Sequence, residues 1–279
     1  MKGYVILGLI SLLLFNKINA QSNDKKLDKK IDELIFLYVD EKYDKMVYKA
    51  ISLGESDAYK KNPLPFIYAS MGYFQISKRP DKYKQGKGEE FEKALKTAQK
   101  YLYTFNKKDS KANEYYNDYL EFYDLIADTS NKVAQHFFLM EDYRKAAKEY
   151  KNAVKSLPND PILLLWEGIC EVKSNNFSEG DKNILLALDK INKDFVPSDV
   201  TAGVLAHGML IVSEYFAQKG DVSNSNKAGE LVQVFKKFDP DELDKAKMQA
   251  RKDKAKDEDK IMRIFYSDED TEQDKKSKD

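Results

Sequence analysis

The sequence predicts an all-α protein built from paired antiparallel helices. Few of the 279 residues are Gly (12) or Pro (7), whereas helix-forming Lys, Glu, Leu and Ala are abundant. In the segment 143–168, Pro158 closes one helical pattern, and Asp160 with Pro161 supplies an N-cap and a first helical residue for the next. The first of these helices shows side chains at steps of three and four residues, the helical period: Tyr143, Ala146, Tyr150 and Ala153.

This window resembles the tetratricopeptide repeat, a helix–turn–helix unit of about 34 residues. Its small residues Ala146, Ala153 and Gly168 stand where neighbouring helices of such a repeat approach each other closely. The resemblance implies a helical repeat solenoid of about five helix pairs, some of them degenerate, over residues 21–238. It also implies a general role in binding other proteins.

In the N-terminal half, apolar spacing predicts four helices. The first two cover residues 27–39 and a segment from residue 43, with a tight connection at 40–42. Two prolines break the pattern at 62–65 before the third helix, and the polar insertion 78–87 is expected to be a loop. The fourth helix would bury Phe91, Ala94, Ala98 and Tyr101.

In the C-terminal half, Ser110 is expected to cap a further helix, and whether residues 110–140 form one helix or two stays open. Helix pairs are expected over 127–160 and 161–188, followed by a pair that Ser198 caps. The second of these pairs matches the repeat at Leu164, Gly168, Phe177, Ile184 and Ala187, with Gly180 where the family usually has alanine.

The C-terminus is expected to differ from the repeats. A charged helix is predicted over 239–266, because Asp239-Pro240 starts a helix that has little to bury, and a disordered tail over 267–279. An isolated apolar patch ends this helix. Two interpretations stay open, namely that the patch caps the last repeat or that it docks a partner. The patch consists of Ile261, Met262, Ile264, Phe265 and Tyr266.

Residues 1–20 read as a signal peptide, with Lys2 before an apolar run and a cleavage site at Ala20. The alternative is a buried N-terminal helix. Because of this signal peptide we expect an exported protein, either periplasmic or secreted and associated with the cell envelope. The apolar run is too short to cross a bilayer, so the mature chain is expected to have no transmembrane span.

The composition also narrows the function. Lys and Arg (47) balance Asp and Glu (47), which argues against nucleic acid or an anionic membrane as the main partner. The single cysteine, Cys170, is expected to be a small buried side chain. The two histidines have no partners at metal-ligand spacing, and no catalytic motif occurs. We therefore expect no catalytic residue, metal or cofactor, and no enzymatic activity.

The resemblance implies that the first helix of each repeat lines a concave face where a partner binds. Leu165 and Ile169 stand where family members that clamp a C-terminal carboxylate carry polar residues, so an apolar groove for an apolar or helical segment is expected instead. The alternative is that these side chains pack against neighbouring helices. The expected partner-binding residues are Asn131, Gln135, Phe138, Leu165, Ile169, Val172, His207, Leu210 and Glu214.

These observations favour a non-catalytic scaffold or adaptor of the cell envelope that binds a protein partner. One alternative is a component of an outer secretion or surface-motility assembly that docks through the C-terminal patch. A different class, an envelope ligand-binding protein or enzyme with an unrecognised site, would be favoured by an apolar pocket with convergent polar groups and perturbed carboxylates. The identity of the partner and the oligomeric state stay open.

Overall fold

The computed structural model of the protein describes residues 29–83, 91, 93–110, 114–199 and 201–239. Every regular element in these ranges is a helix, so the predicted all-α class is confirmed for the described chain. The chain divides into two compact units at Thr201 and Ala202, and each unit is described by itself.

Several predictions fall outside the described residues. These are the signal peptide at 1–20, the loop residues 84–87, the charged helix after Asp239, its apolar patch and the tail at 267–279. Within the part of the chain that the structure describes, no helix is both long and apolar enough to cross a membrane.

The described part of the first unit contains nine α-helices. Helices α1, α2 and α3 pack in chain order, α3 packs on α5, and α5 packs on α7. Helices α6 to α9 likewise pack in succession. The bounds are α1 Lys29–Val39, α2 Tyr43–Glu55, α3 Leu64–Ser77, α4 Pro80–Tyr83, α5 Ala94–Asp109, α6 Leu120–Leu139, α7 Tyr143–Ser156, α8 Pro161–Lys173 and α9 Phe177–Lys190.

Three turns of this unit share one backbone geometry. Glu41, Glu141 and Asn175 follow α1, α6 and α8, with φ of 55°, 58° and 68°. After each of them, the next N–H donates to the carbonyl oxygen five residues earlier, at 2.8 to 2.9 Å, which is the Schellman pattern of helix ends. Glu141 and Asn175 are 34 residues apart. The pairs α6–α7 and α8–α9 therefore repeat with the same local structure.

The start of α8 forms as its local sequence predicts. Asp160 Oδ1 accepts hydrogen bonds from the N–H groups of Ile162 (2.9 Å) and Leu163 (3.3 Å), and Pro161 occupies the first helical position. At the start of α7, Asp142 accepts from Lys145 N–H at 3.2 Å. Both caps satisfy N–H groups that have no partner inside the helix.

Two glycines set the distance between α8 and α9. A Cβ atom placed on Gly168 would lie 2.9 Å from the carbonyl oxygen of Gly180, and a Cβ on Gly180 would lie 2.9 Å from the carbonyl oxygen of Gly168. The two backbones therefore touch, and any side chain at either position would push the helices apart.

The segment before α7 forms one long helix. Helix α6 runs for 20 residues, Leu120–Leu139, behind a 3₁₀ turn at Tyr116–Tyr119. The prediction that Ser110 caps it is wrong. Ser110 instead ends α5, where its N–H donates to the carbonyl oxygen of Asn106 at 2.9 Å.

Three other local predictions need correction. Phe177 matches the repeat and would therefore lie in the repeat core, but it is 49% exposed. It is the first residue of α9, and the buried stripe of that helix begins one turn later, at Gly180. The expected loop after α3 contains the short helix α4. Ser198 does not cap the next helix, which begins at Ala202; its hydroxyl lies 3.0 Å from that of Thr201.

The second unit, in its described part, is a helix pair. Helix α10 covers Ala202–Gln218, α11 covers Val222–Phe235, and a 3₁₀ turn follows at Lys236–Phe238. The turn at Gly220 has φ 76°, and Asp221 caps α11 by accepting from Asn224 N–H at 3.1 Å.

Candidate functional site

Two of the predicted partner-binding residues belong to a hydrogen-bond network between α6 and α7. Tyr150, fully buried, donates through its hydroxyl to Asn131 Oδ1 at 2.9 Å and accepts from Gln135 Nε2 at 2.7 Å. Burial raises the pKa of Tyr150 well above its ordinary value. Asn131 is itself 5% exposed, so this amide holds the helix pair together and presents little surface to a partner.

The predicted residues of α8 and the end of α6 lie mainly in the core. Leu165 and Ile169 are 0% and 1% exposed. Phe138 packs edge-on against Trp166, with 5.1 Å between ring centroids, and Val172 is half-buried. Leu165 and Ile169 therefore pack against neighbouring helices, which is the alternative that the sequence left open.

The remaining predicted residues lie elsewhere. His207, Leu210 and Glu214 are exposed on α10 of the second unit. The structure therefore places predicted residues in both units, and the groove expected on Leu165 and Ile169 has no open surface at those side chains. The C-terminal patch lies outside the described residues.

A cleft of about 410 Å³ opens in the first unit, where the end of α5, the first half of α6, the α7–α8 turn and the segment after α9 meet. We call Leu157, Pro158 and Phe195 its apolar wall, and the aromatic hydroxyls, the amide and the carboxylates of its lining its polar wall. Its lining residues include Asn106, Asp109, Tyr116, Tyr123, Asp124, Ala127, Leu157, Pro158, Asp160, Pro161, Phe195 and Val196.

The polar wall of this cleft is fixed by hydrogen bonds between three helices. The hydroxyl of Tyr123 donates to Asn106 Oδ1, and Asn106 Nδ2 donates to the carbonyl oxygen of Ser156 at 2.8 Å. The rings of Tyr116 and Tyr123 lie 4.8 Å apart. Burial raises the pKa of Tyr123, so its hydroxyl stays protonated and the wall keeps its shape at neutral pH.

Carboxylates give the cleft a negative charge. Burial raises the pKa of Asp124, and the neighbouring Asp199 raises it further. Burial also raises the pKa of Asp160, with Asp124 adding to the effect, although the N–H groups of Leu163 and Ile162 oppose it. The described lining contains no Lys or Arg. A cationic group placed here would relieve the repulsion between these carboxylates.

The chemistry of the cleft suits binding. Its wall of Leu157, Pro158 and Phe195 can cover a hydrocarbon chain while the carboxylates pair with a charge at its end, as on a Lys or Arg side chain. Among the described residues, no group of three or more His, Cys, Asp or Glu side chains is placed to hold a metal ion. Cys170 is buried, and burial raises its thiol pKa, which disfavours the reactive thiolate.

Sequence reasoning missed this cleft because its parts are far apart in the chain. Asn106, Asp124, Asp160 and Val196 come from four segments with no common motif. The sequence predicts Asp160 as an N-cap, and the structure confirms that role. Nothing in the sequence around a capping residue shows that it also lines a cleft. The exposure of Val196, in a connection between helices, is visible only in the structure.

One buried carboxyl lies outside the cleft and supports a prediction about stability. Glu167 of α8 is 5% exposed, and burial, with Glu171 and Glu179 adding and Lys151 and Lys155 opposing, raises its pKa to about 7. The folded state therefore holds this proton more tightly than the unfolded state, whose Glu titrates near 4.3. The contribution of Glu167 to stability is fully present below that value and is lost as the pH rises toward 7.

We expect Glu167→Gln to raise the free energy of unfolding at pH 8 by about 2 kcal/mol relative to the native chain and to have little effect at pH 4. Urea unfolding at several pH values, followed by the fluorescence of Trp166, measures this difference. The exposed Glu121 serves as the control, because Glu121→Gln should leave the pH profile unchanged. Parallel profiles for the native chain and Glu167→Gln would contradict the assignment.

Comparison with known proteins adds no relative. No protein-family model matches the chain, and searches of curated proteins and of solved structures found no match.

Proposed function

We propose that the protein is a non-catalytic scaffold of the cell envelope, of tetratricopeptide type, which binds a segment of a partner protein in the cleft between α5, α6 and the α7–α8 turn. The observation that carries the proposal is the cleft itself, which is open, rigidly lined and negatively charged beside an apolar wall. Its volume of about 410 Å³ is in the range of binding sites that take a few side chains.

The tetratricopeptide assignment is supported by the repeated turns. Glu141 and Asn175 have the same backbone geometry 34 residues apart, and the period of the family is about 34 residues. Export is supported by the sequence of residues 1–20. An outer secretion or surface-motility assembly is one proposed setting, and it rests on the family resemblance.

The segment that fits the cleft is more specific than the apolar segment expected from the sequence. Apolar side chains would pack against Pro158 and Phe195, and a Lys or Arg side chain would pair with Asp124 and Asp160. Because the described lining has carboxylates and no cation, an acidic segment would be repelled.

Asp124→Asn is expected to lower the recovery of the partner about tenfold, since a charge-assisted hydrogen bond contributes about 1.5 kcal/mol. The measurement is affinity purification from the native host with quantitative mass spectrometry. Asp128→Asn is the matched control, because Asp128 lies one turn further along α6 and pairs with Lys132 at 2.6 Å outside the cleft. Equal recovery with both variants would refute the proposal.

The pH dependence of partner binding follows from the same carboxylates. Their raised pKa values mean that they become neutral at a higher pH than ordinary Asp side chains do, so binding of a basic segment should weaken as the pH falls. Asp124→Asn should flatten that dependence. Tighter binding at acidic pH would exclude a cationic occupant.

A second candidate function is capture of a small cationic ligand in the same cleft. The perturbed carboxylates beside an apolar wall favour it, since this combination is typical of small-molecule sites. Calorimetric titration with arginine, spermidine and glucosamine distinguishes the two functions. Saturable binding that Asp124→Asn abolishes would favour the small ligand, whereas no heat of binding would leave the protein segment as the occupant.

A further inference from the structure

A basic groove of about 580 Å³ lies between α5 and α7 in the first unit. It shares no lining residue with the acidic cleft. Its described lining contains four lysines and no carboxylate. The lining residues are Lys93, Lys96, Thr97, Gln99, Lys100, Tyr103, Asn152 and Lys155.

Three of these lysines are available to an anion. Lys96, Lys100 and Lys155 are exposed, and the described residues place no carboxylate within ion-pair distance of them. Lys96 and Lys100 are one helical turn apart, about 6 Å along α5, and Lys155 comes from α7. Lys155 also acts on the buried Glu167, whose pKa it lowers. This arrangement suits a ligand with several negative charges in a row.

Two amides of the groove carry unpaired hydrogen-bonding atoms. Gln99, 3% exposed, donates through Nε2 to Ser130 Oγ at 2.8 Å, but its Oε1 has no partner. Asn152 Nδ2 is buried and also has no partner. One unpaired acceptor and one unpaired donor are both satisfied by a hydroxyl group, which donates and accepts. A bare phosphate, which has no hydrogen to donate when fully ionised, satisfies only Asn152.

The groove also presents an aromatic ring. Tyr103 lies one turn beyond Lys100 on α5 and is 49% exposed. An exposed ring beside polar groups offers an apolar face with a polar edge. Charge, hydroxyl recognition and a ring face thus occur together in one groove.

We propose that this groove binds a strand of an acidic polysaccharide. The lysines pair with its carboxylates, and Tyr103 packs against a sugar ring. The side chains of Gln99 and Asn152, whose unpaired atoms are buried in the free protein, turn toward its hydroxyl groups when the strand binds. This surface is additional to the partner site in the cleft, and the two are tested independently. It gives a protein of the cell envelope a means to hold a surface polymer while its cleft holds a protein.

The test is fluorescence anisotropy of the full chain with a labelled oligogalacturonate, a polymer of hydroxylated sugars that each carry a carboxylate. Lys96→Gln/Lys100→Gln/Lys155→Gln should weaken binding at least about tenfold and reduce its salt dependence, since it removes three ion pairs. The matched control is Lys45→Gln/Lys173→Gln/Lys190→Gln, which changes the net charge equally at exposed lysines outside the groove. This control should keep the native affinity.

Charge-neutral variants separate sugar recognition from general attraction to anions. Asn152→Ala and Tyr103→Ala should each weaken oligogalacturonate binding about fivefold. If Asn152→Ala does not fold, Tyr103→Ala still tests the proposal, because Tyr103 is exposed and its replacement leaves the fold intact. The proposal is overturned if oligogalacturonate does not bind, if the control triple loses as much affinity, or if polyphosphate or phosphatidylglycerol vesicles bind more tightly than oligogalacturonate.

Discussion

Replacing Gly168 by alanine is expected to lower the free energy of unfolding by about 2 to 3 kcal/mol, although alanine is the better helix former by about 1 kcal/mol. The reason is the contact between α8 and α9. The new methyl group would lie 2.9 Å from the carbonyl oxygen of Gly180 and 2.8 Å from Ile184 Cγ1, so the two helices must separate. Urea unfolding followed by circular dichroism and by the fluorescence of Trp166 measures the loss.

Two further variants sharpen this result. Gly229→Ala is the control, because a Cβ there would meet only Ser213 Oγ, at 3.3 Å, and the change should be neutral or stabilising by up to about 1 kcal/mol. Gly180→Ala should cost as much as Gly168→Ala. The double variant should cost less than the sum, since both methyl groups open the same interface. Native stability in Gly168→Ala would show that the helices do not cross at these glycines.

Leu165→Ala is expected to lower the free energy of unfolding by about 3 kcal/mol, because Leu165 is completely buried and its truncation leaves a cavity. Trp166, next to it in α8, again reports the transition. Leu186→Ala is the control in the same unit, since Leu186 is 46% exposed, and it should change stability by less than about 0.5 kcal/mol.

The same variant decides between two roles for Leu165. A residue that faces a partner can be truncated with little loss of stability and a large loss of binding, whereas a core residue shows the reverse. Unchanged stability in Leu165→Ala, together with lost recovery of the partner, would support the concave binding face predicted from the sequence. It would contradict the burial of Leu165 in the core.

Local chemistry explains why one part of the fold could be predicted so closely. Asp160 and Pro161 start α8 by hydrogen bonding and a fixed φ angle, both of which act within three residues. The turn at Gly220 and the stripe of α7 depend on equally short distances along the chain. These features do not require knowledge of the tertiary structure.

Other features depend on contacts between distant segments and could not be predicted. Ser110 has the right chemistry for an N-cap, but its N–H is used to end α5. Leu165 and Ile169 have the right spacing for a groove, but burial takes them out of reach of a partner. Which face of a helix stays open is decided by the helices that pack on it.

The distribution of charge in the folded protein also could not be predicted from the sequence. A net charge of zero argued against anionic partners, yet the described structure separates the charges into an acidic cleft and a groove lined by lysines. Asp124 and Asp160 meet across α6 and the α7–α8 turn, while Lys100 and Lys155 meet across α5 and α7. A balance over the whole chain cannot show segregation that arises on folding.

A charge exchange across the interface tests most directly whether the cleft binds a basic segment of a partner protein. Once photocrosslinking from Val196 has located the partner segment, Asp124→Lys should abolish binding, and a Lys→Asp change in that segment should restore at least part of it. Restoration by the matched pair is the predicted result. Binding that survives Asp124→Lys unchanged would contradict the proposed function.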